Sequence, residues 1–224
     1  MRSFASDMDR KSNPIGNNKR GGRGYRNRLV GFRTVRKRFL IVCEGKKTEP
    51  FYFKSFPITT RPDIVRIDIV PGACESVSLV EKAISIRDRA NDPYDSVWVV
   101  MDREDPDTLS ACRFNEAIHM ARNACIYVAY SNEAFELWYL LHFNYIDTAL
   151  SRSQYINMLS SCLGKKYQKN SKTMYEDILP RQSDAIRNAK RLLAQYVPRN
   201  PERDNPSTTV SELVEELNKY LPGC

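Results

Sequence analysis

The feature that most constrains the fold is a regular alternation of strand-like and helix-like segments that begins at Arg38. Short runs rich in Val, Ile and aromatic residues predict strands, at residues 39–43, 64–70, 96–101 and 125–130. The segments between and after them predict helices, at residues 48–56, 76–90, 109–123 and 133–143. Strands that alternate with such helices are joined by right-handed crossovers. The pattern therefore predicts an α/β fold with a mainly parallel sheet flanked by helices.

Beyond Phe143 the pattern is helical only. Residues 151–163 and 181–197 predict amphipathic helices, and Thr209 with Glu212 three residues later is typical of a capping box at the start of a last helix. We therefore expect an α/β core at 38–146 and a helical C-terminal extension at 147–224.

The positive charge is concentrated before the first strand. Residues 1–38 hold twelve Lys or Arg and two Asp, whereas the remaining residues hold 23 basic and 25 acidic groups. Residues 1–37 are poor in periodic apolar positions and are predicted to be a flexible basic arm. Such arms commonly bind phosphate backbones by releasing counterions, which predicts nucleic-acid contacts for Arg20, Arg23, Arg26, Arg28, Arg33, Arg36, Lys37 and Arg38. A solubilising tail or a docking segment for a protein partner is the alternative.

Several classes of protein are disfavoured by what the sequence lacks. The six cysteines form no C-x-x-C pair, which argues against a zinc ribbon or a redox dithiol. Cys43 and Cys125 lie in apolar runs and are predicted to be buried thiols. The longest apolar runs have strand length, so no membrane span is expected. A secretory signal is also not predicted, and we expect a cytoplasmic protein.

Acidic residues follow two of the predicted strands directly. Glu44 comes after the first strand, and Asp102, Glu104 and Asp105 come after the third. In open α/β sheets, ligands bind at the carboxyl ends of the strands, and carboxylates are preferred ligands of Mg²⁺. Alternation along an extended segment places Asp102 and Glu104 on one side. A polar loop that caps the helix at 109–123, with Asp107 as its N-cap, explains the acidic cluster equally well.

Other residues have weaker signals. Lys46 and Lys47 lie beside Glu44 and are candidates for phosphate contacts, although exposed lysines are more often only solvated. Glu49 and Glu136 are candidates for supporting roles, and Glu136 has helix-surface solvation as its alternative. Trp138 has helical spacing to apolar neighbours and is predicted to be a core residue. Neither of the two histidines has a partner at catalytic spacing, which disfavours a His-dependent hydrolase.

Four ordered motifs resemble a known family. They read RFLIVCEGKKTEPFYFKSF, VVMDRED, SNEAFELWYLLHF and NPSTTVSELVEEL, and the similarity covers residues 38–220. The chain resembles the RloB and AbiL-type proteins of bacterial phage-defence loci, whose core is similar to the Toprim fold. This resemblance implies a Toprim-like metal site at Glu44, Asp102 and Glu104. The usual Asp-x-Asp of Toprim proteins is replaced here, so either Glu104 or Asp105 is the last ligand, and Glu133 stands where the family usually has proline.

The resemblance also implies a function. It is that of a Toprim-type nuclease in antiviral defence of the abortive-infection kind, which hydrolyses phosphodiesters with Mg²⁺ or Mn²⁺ and has an AAA or ABC-type ATPase as its partner. A Toprim-like module that binds nucleic acid or a ribonucleoprotein without cutting is the main alternative. A phosphotransferase or small-nucleotide hydrolase is disfavoured, because the sequence has neither a P-loop motif nor G-x-G-x-x-G.

Overall fold

The computed structural model describes residues 37–60, 64–72, 75–103 and 109–221. The chain divides into the units Met1–Arg33 and Thr34–Cys224, and all the described residues belong to the second. Most of the predicted basic arm therefore lies outside the described residues. So do Glu104, Asp105 and Asp107 of the predicted acidic cluster.

Five strands form one sheet. They are β1 (Lys37–Cys43), β2 (Val65–Pro71), β3 (Ser96–Arg103), β4 (Tyr127–Asn132) and β5 (Ser207–Thr208), in the order β2-β1-β3-β4-β5. The first four run parallel, and β5 pairs antiparallel with β4. The predicted α/β fold with a mainly parallel sheet is confirmed, and each predicted strand begins and ends within two residues of the observed one. The two-residue strand β5 was not predicted.

The helices fill the intervals that the pattern assigned to them. They are α1 (Thr48–Lys54), α2 (Ser76–Asp88), α3 (Leu109–Asn123), α4 (Glu136–Leu140), α5 (Arg152–Leu163), α6 (Met174–Ile178), α7 (Gln182–Leu193) and α8 (Val210–Asn218). Short 3-10 helices cover Pro57–Thr60 and Leu179–Arg181. The predicted helix at 133–143 is only the short α4, and α6 was missed because one and a half turns carry little periodic signal.

Both faces of the sheet are buried. Phe39, Ile41 and Cys43 of β1 belong to one hydrophobic cluster, and Leu40 and Val42 belong to a second. Alternate residues of a strand point to opposite faces. Because both faces are covered, all these residues of β1 are apolar, as expected for a parallel sheet with helices on both sides.

The two hydrophobic clusters divide the helices between them. Residues of α2 and α3 pack in the cluster of Leu40 and Val42, whereas α1 and the helices from α4 onward pack in the other. Trp138 is fully buried in that other cluster, which confirms its prediction as a core residue. The helices that follow Phe143 thus share one core with the sheet.

Two local predictions are wrong. Thr209 precedes α8, but its hydroxyl makes no cap; it donates to the Val128 carbonyl (3.2 Å) and accepts from the Tyr130 N–H (3.0 Å) of β4. The Thr209 hydroxyl is therefore bonded to the backbone of β4 and does not accept a hydrogen bond from the first turn of α8, as a capping box would require. Cys125 is exposed, since it lies in the turn before β4 with φ 56° and not in the strand.

A capping box does form at the start of α5. The Gln154 N–H donates to Ser151 Oγ (3.4 Å), and the Ser151 N–H donates to Gln154 Oε1 (2.8 Å). Its position agrees with the predicted start of this helix at 151. In the described part of the chain, no helix is long and apolar enough to cross a membrane.

Candidate active site

Glu44 and Asp102 meet at the carboxyl ends of two neighbouring parallel strands. The Glu44 N–H donates to the Val100 carbonyl (2.8 Å), which extends the pairing of β1 with β3 by one residue. The Asp102 N–H then donates to Glu44 Oε2 (2.9 Å). The structure therefore brings together two of the residues that the sequence assigned to a metal, at the edge where α/β sheets bind ligands.

Glu49 reaches the same place from the first turn of α1. Its Oε1 accepts a hydrogen bond from the Gly45 N–H (3.2 Å), and its side chain is buried. A β-carbon at position 45 would overlap the Glu49 carboxylate, so glycine allows this close approach, and a larger residue would force the carboxylate to move. Burial raises the pKa of Glu49; the nearby Glu136 carboxylate adds to the rise, and backbone hydrogen bonds oppose it.

These side chains line a cavity of about 330 Å³. Glu136, at the start of α4, contributes a fourth carboxylate and is 5% exposed. The predicted supporting residues Lys46, Lys47, Glu49 and Glu136 all line this cavity with Glu44 and Asp102. Four carboxylates in one small cavity repel one another, because each lies in the field of the others.

The carboxylate of Asp102 is mostly buried. The side chain is 17% exposed, and Oδ1 is buried without a hydrogen-bond partner among the described residues. Burial raises the pKa of Asp102 well above its usual range, and repulsion from Glu49, Glu136 and Glu44 adds to it. A buried carboxylate oxygen is costly to leave unpaired, so this atom is suited to receive a proton or a cation.

Two cations face these acids, and neither was predicted. The Arg152 guanidinium lies 3.6 Å from Asp102 Oδ2, and Lys169 Nζ lies 3.7 Å from Glu136 Oε1. The Tyr167 hydroxyl donates to the same Glu136 oxygen (3.2 Å). These three residues come from α5 and from the segment after it, which pack on the sheet only in the folded chain. The basic run at 165–172 was the sequence signal that could have directed attention to them.

Lys37 and Arg38 lie far from this cavity, at the opposite end of β1. Six residues of a strand separate Arg38 from Glu44, a distance of about 20 Å. Lys37 pairs with Asp95 (3.0 Å), and Arg38 pairs with Asp68 (3.1 Å) while stacking over the Tyr94 ring. Their predicted contacts with nucleic acid stay a prediction.

The oxygen-rich cavity fits a hard divalent cation in its chemistry. Glu44 and Asp102 offer carboxylate oxygens, which are the donors that Mg²⁺ prefers, and Mg²⁺ needs only one or two protein carboxylates in many sites. Within the described ranges, no three His, Cys, Asp or Glu side chains form a group that could hold a metal ion. The predicted third ligand, Glu104 or Asp105, lies outside those ranges.

The fold and cavity together define an α/β protein with an acidic site at the carboxyl ends of parallel strands, bordered by basic side chains from a helical C-terminal part. The family model described as RloB-like protein matches residues 39–217, and the chain therefore belongs to the RloB-like family. The match suggests a defence-related family. Neither a curated protein nor a solved structure matches the chain.

Proposed function

We propose that this protein is a cytoplasmic, divalent-metal-dependent endonuclease that hydrolyses phosphodiester bonds in anti-phage defence. One observation carries the proposal: the buried, unpartnered Oδ1 of Asp102 beside Glu44, in a cavity that also holds Glu49 and Glu136. A protein that leaves such an atom unpaired loses stability unless a ligand compensates. Family membership supports the same conclusion, and so does the resemblance of the motifs to those of Toprim proteins.

Glu44 and Asp102 are the residues that would hold Mg²⁺ or Mn²⁺, with Glu104 or Asp105 as a further ligand. When bound, the metal supplies an activated water for attack on phosphorus and stabilises the leaving 3′ oxygen. The Asp102 N–H orients Glu44 by donating to Oε2, so Glu44 is held ready as a ligand or as a proton acceptor. Gly45 holds Glu49 in the cavity wall through its N–H.

The basic residues of the cavity suit a phosphate. Lys46 and Lys47 are exposed at its rim, and Arg152 and Lys169 lie within 4 Å of its carboxylates. Their charges lower the repulsion that a phosphodiester would meet from the four acids, and Arg152 offers the planar donor geometry that phosphate oxygens accept. Tyr167 fixes Glu136 by its hydrogen bond and so keeps that carboxylate in place.

Asp102→Asn tests the proposal. Asparagine keeps the shape of aspartate but removes the charge that attracts a cation, so cleavage should fall by roughly 10²-fold or more, as expected for the loss of several kcal/mol of charge stabilisation. Nucleic-acid affinity should stay the same or rise, since one negative charge near the phosphates is gone. Metal-dependent cleavage of labelled RNA and DNA, equilibrium binding and the melting temperature are measured on the same preparation.

The matched control is Asp147→Asn, which makes the same change at an exposed position that does not line the cavity. It should cleave like the wild type, and EDTA should abolish cleavage by both until Mg²⁺ is restored. Wild-type cleavage by Asp102→Asn would refute the metal mechanism. Binding by the wild type without cleavage under any metal would favour the non-catalytic binding module.

An AAA or ABC-type ATPase is the partner that we propose from the resemblance to phage-defence proteins. The cleavage assay is therefore run with and without an ATPase of this type and ATP. Activity that appears only with the ATPase and ATP would identify it as the switch.

A further inference from the structure

A strongly basic segment borders the candidate active site and has no role so far. Residues 165–172 read KKYQKNSK, with four lysines and no acid in eight residues. We call it the lysine segment. All four lysines are exposed. The segment begins directly after Gly164, the residue that follows α5, whose left-handed conformation (φ 63°) turns the chain away from the helix.

Contacts with two helices of the core hold the lysine segment at the rim of the acidic cavity. Thr48 Oγ1, at the start of α1, donates to the Lys169 carbonyl (3.2 Å). Tyr167 donates to Glu136 of α4, and Lys169 Nζ lies close to the same carboxylate. The position of the segment beside the cavity is therefore built into the fold.

The lysine segment also lines a second recess, of about 390 Å³. Lys165, Lys166, Gln168 and Ser171 line it, and none of these residues is acidic. Lys165 is paired with Asp177 (2.6 Å), whereas Lys166 and Lys172 form no ion pair among the described residues. Lys166 and Lys172 thus offer positive charge that no acid of the described residues compensates by an ion pair.

We propose that the lysine segment and its recess bind the phosphodiester backbone of the nucleic acid next to the bond that is cut. The inference rests on the proposed function, because it places the substrate of the same site. The acidic cavity repels a polyanion such as nucleic acid. Residues 37–224 hold 25 basic and 25 acidic side chains, so their net charge of zero does not attract a polyanion either. The lysine segment supplies the local attraction that keeps neighbouring phosphates beside the cavity, through counterion release.

The test replaces Lys165, Lys166 and Lys172 together by glutamine in the full chain. The matched control replaces Lys82, Lys190 and Lys219, which are also exposed or half-buried lysines but lie on other elements. Both variants lose three positive charges, so a difference in nucleic-acid binding between them reports where the lysines lie and not the net charge of the protein. Lys169 is left intact because it contacts Glu136.

Binding is measured by fluorescence anisotropy in EDTA, with single-stranded RNA, single-stranded DNA and duplex DNA of one sequence, over a range of KCl concentrations. The segment variant should bind roughly tenfold more weakly at low salt. Its log–log salt slope should fall by about 0.7 for each phosphate that is no longer neutralised on a single strand, or by about 0.9 on a duplex. The control variant should keep the wild-type slope. Equal slopes for the two variants, or no binding by the wild type, would overturn the inference.

Lysine acetylation followed by mass spectrometry gives an independent readout. Nucleic acid should protect Lys165, Lys166 and Lys172 of the wild type but not the three control lysines, and equal protection would count against the surface. The outcomes also separate the two proposals. If only the segment variant loses binding and the wild type shows no metal-dependent cleavage, the binding surface is supported and the nuclease is refuted. If the wild type cleaves with metal but the two variants bind equally, the nuclease is supported and the binding surface is refuted.

Discussion

At the scale of single residues, Asp102 shows what the candidate site requires. Burial and three neighbouring carboxylates raise its pKa, and the charge of Arg152 opposes them. Arg152 is 41% exposed, so solvent screens its effect. Because closely spaced carboxylates with little access to water cannot all stay ionised, the cavity is stabilised by taking up either protons or a cation.

His142 is a second buried titratable residue, and it follows α4 directly. Its Nδ1 donates to the Trp138 carbonyl (2.9 Å), and its Nε2 is buried without a partner among the described residues. Burial lowers the pKa of His142 to about 4. The folded protein therefore keeps this imidazole neutral over the range in which the unfolded chain, with its ordinary pKa of 6.5, becomes protonated.

We predict an acid-dependent loss of stability from this histidine. The unfolded state binds the proton first, so the contribution of His142 is fully present above pH 6.5 and is lost as the pH falls toward 4. The difference in pKa corresponds to about 3 kcal/mol. His142→Asn keeps a donor near Nδ1 but does not titrate, and its free energy of unfolding, from urea denaturation, should depend less on pH between 6.5 and 4. The exposed His119→Asn is the control and should follow the wild type; parallel curves for all three proteins would contradict the prediction.

At the scale of elements, the sequence determined more about strands than about helix ends. The strands were predicted because both faces of the sheet are covered and the apolar runs are unbroken. Ser151 and Thr209 both precede a helix with Gln or Glu three residues later, yet only Ser151 forms a capping box. The local sequence does not distinguish the two residues, because the Thr209 hydroxyl bonds the backbone of β4, about 80 residues away in the chain.

The NPSTTV motif is explained by the same edge. Thr208, in β5, is fully buried; its hydroxyl donates to the Tyr130 carbonyl (2.9 Å) and lies 3.0 Å from Ser131 Oγ. The Val210 N–H donates to the same hydroxyl (3.3 Å). Thr208 thus joins β4 to the first turn of α8, and through it the end of the chain to the sheet.

We expect Thr208→Val to destabilise the protein by about 1–3 kcal/mol. Valine has nearly the same shape, so the change removes the hydroxyl but not the packing, and it leaves buried polar partners unsatisfied. Chemical denaturation measures the loss, and Thr148→Val, at an exposed position, should change stability by less than about 0.5 kcal/mol. Equal stability of the two variants would show that β5 does not anchor α8.

At the scale of the whole molecule, the candidate site combines two parts of the chain. Glu44, Glu49, Asp102 and Glu136 could be predicted because they follow strands or lie in motifs of the core. Arg152, Tyr167 and Lys169 could not, since they approach those acids only when the helices after Phe143 pack on the sheet. No rule of spacing within the sequence links residue 102 to residue 152, and the charge balance of the cavity is a property of tertiary structure.

The charge of the whole chain leads to the last prediction. Residues 1–36 hold ten Lys or Arg and two Asp, so their net charge of +8 equals that of the entire protein. Replacing Arg20, Arg23, Arg26, Arg28, Arg33 and Arg36 by glutamine should weaken nucleic-acid binding and flatten its salt dependence, by about 0.9 for each phosphate that these arginines neutralise on duplex DNA. The rate of cleavage at saturating nucleic acid should change little, because Glu44 and Asp102 are untouched. Anisotropy titrations over KCl, with single-turnover cleavage on the same samples, measure both quantities. An unchanged salt slope would assign these arginines to a protein partner. The six-glutamine variant would then differ from the wild type only when the partner that we propose, an AAA or ABC-type ATPase, is present.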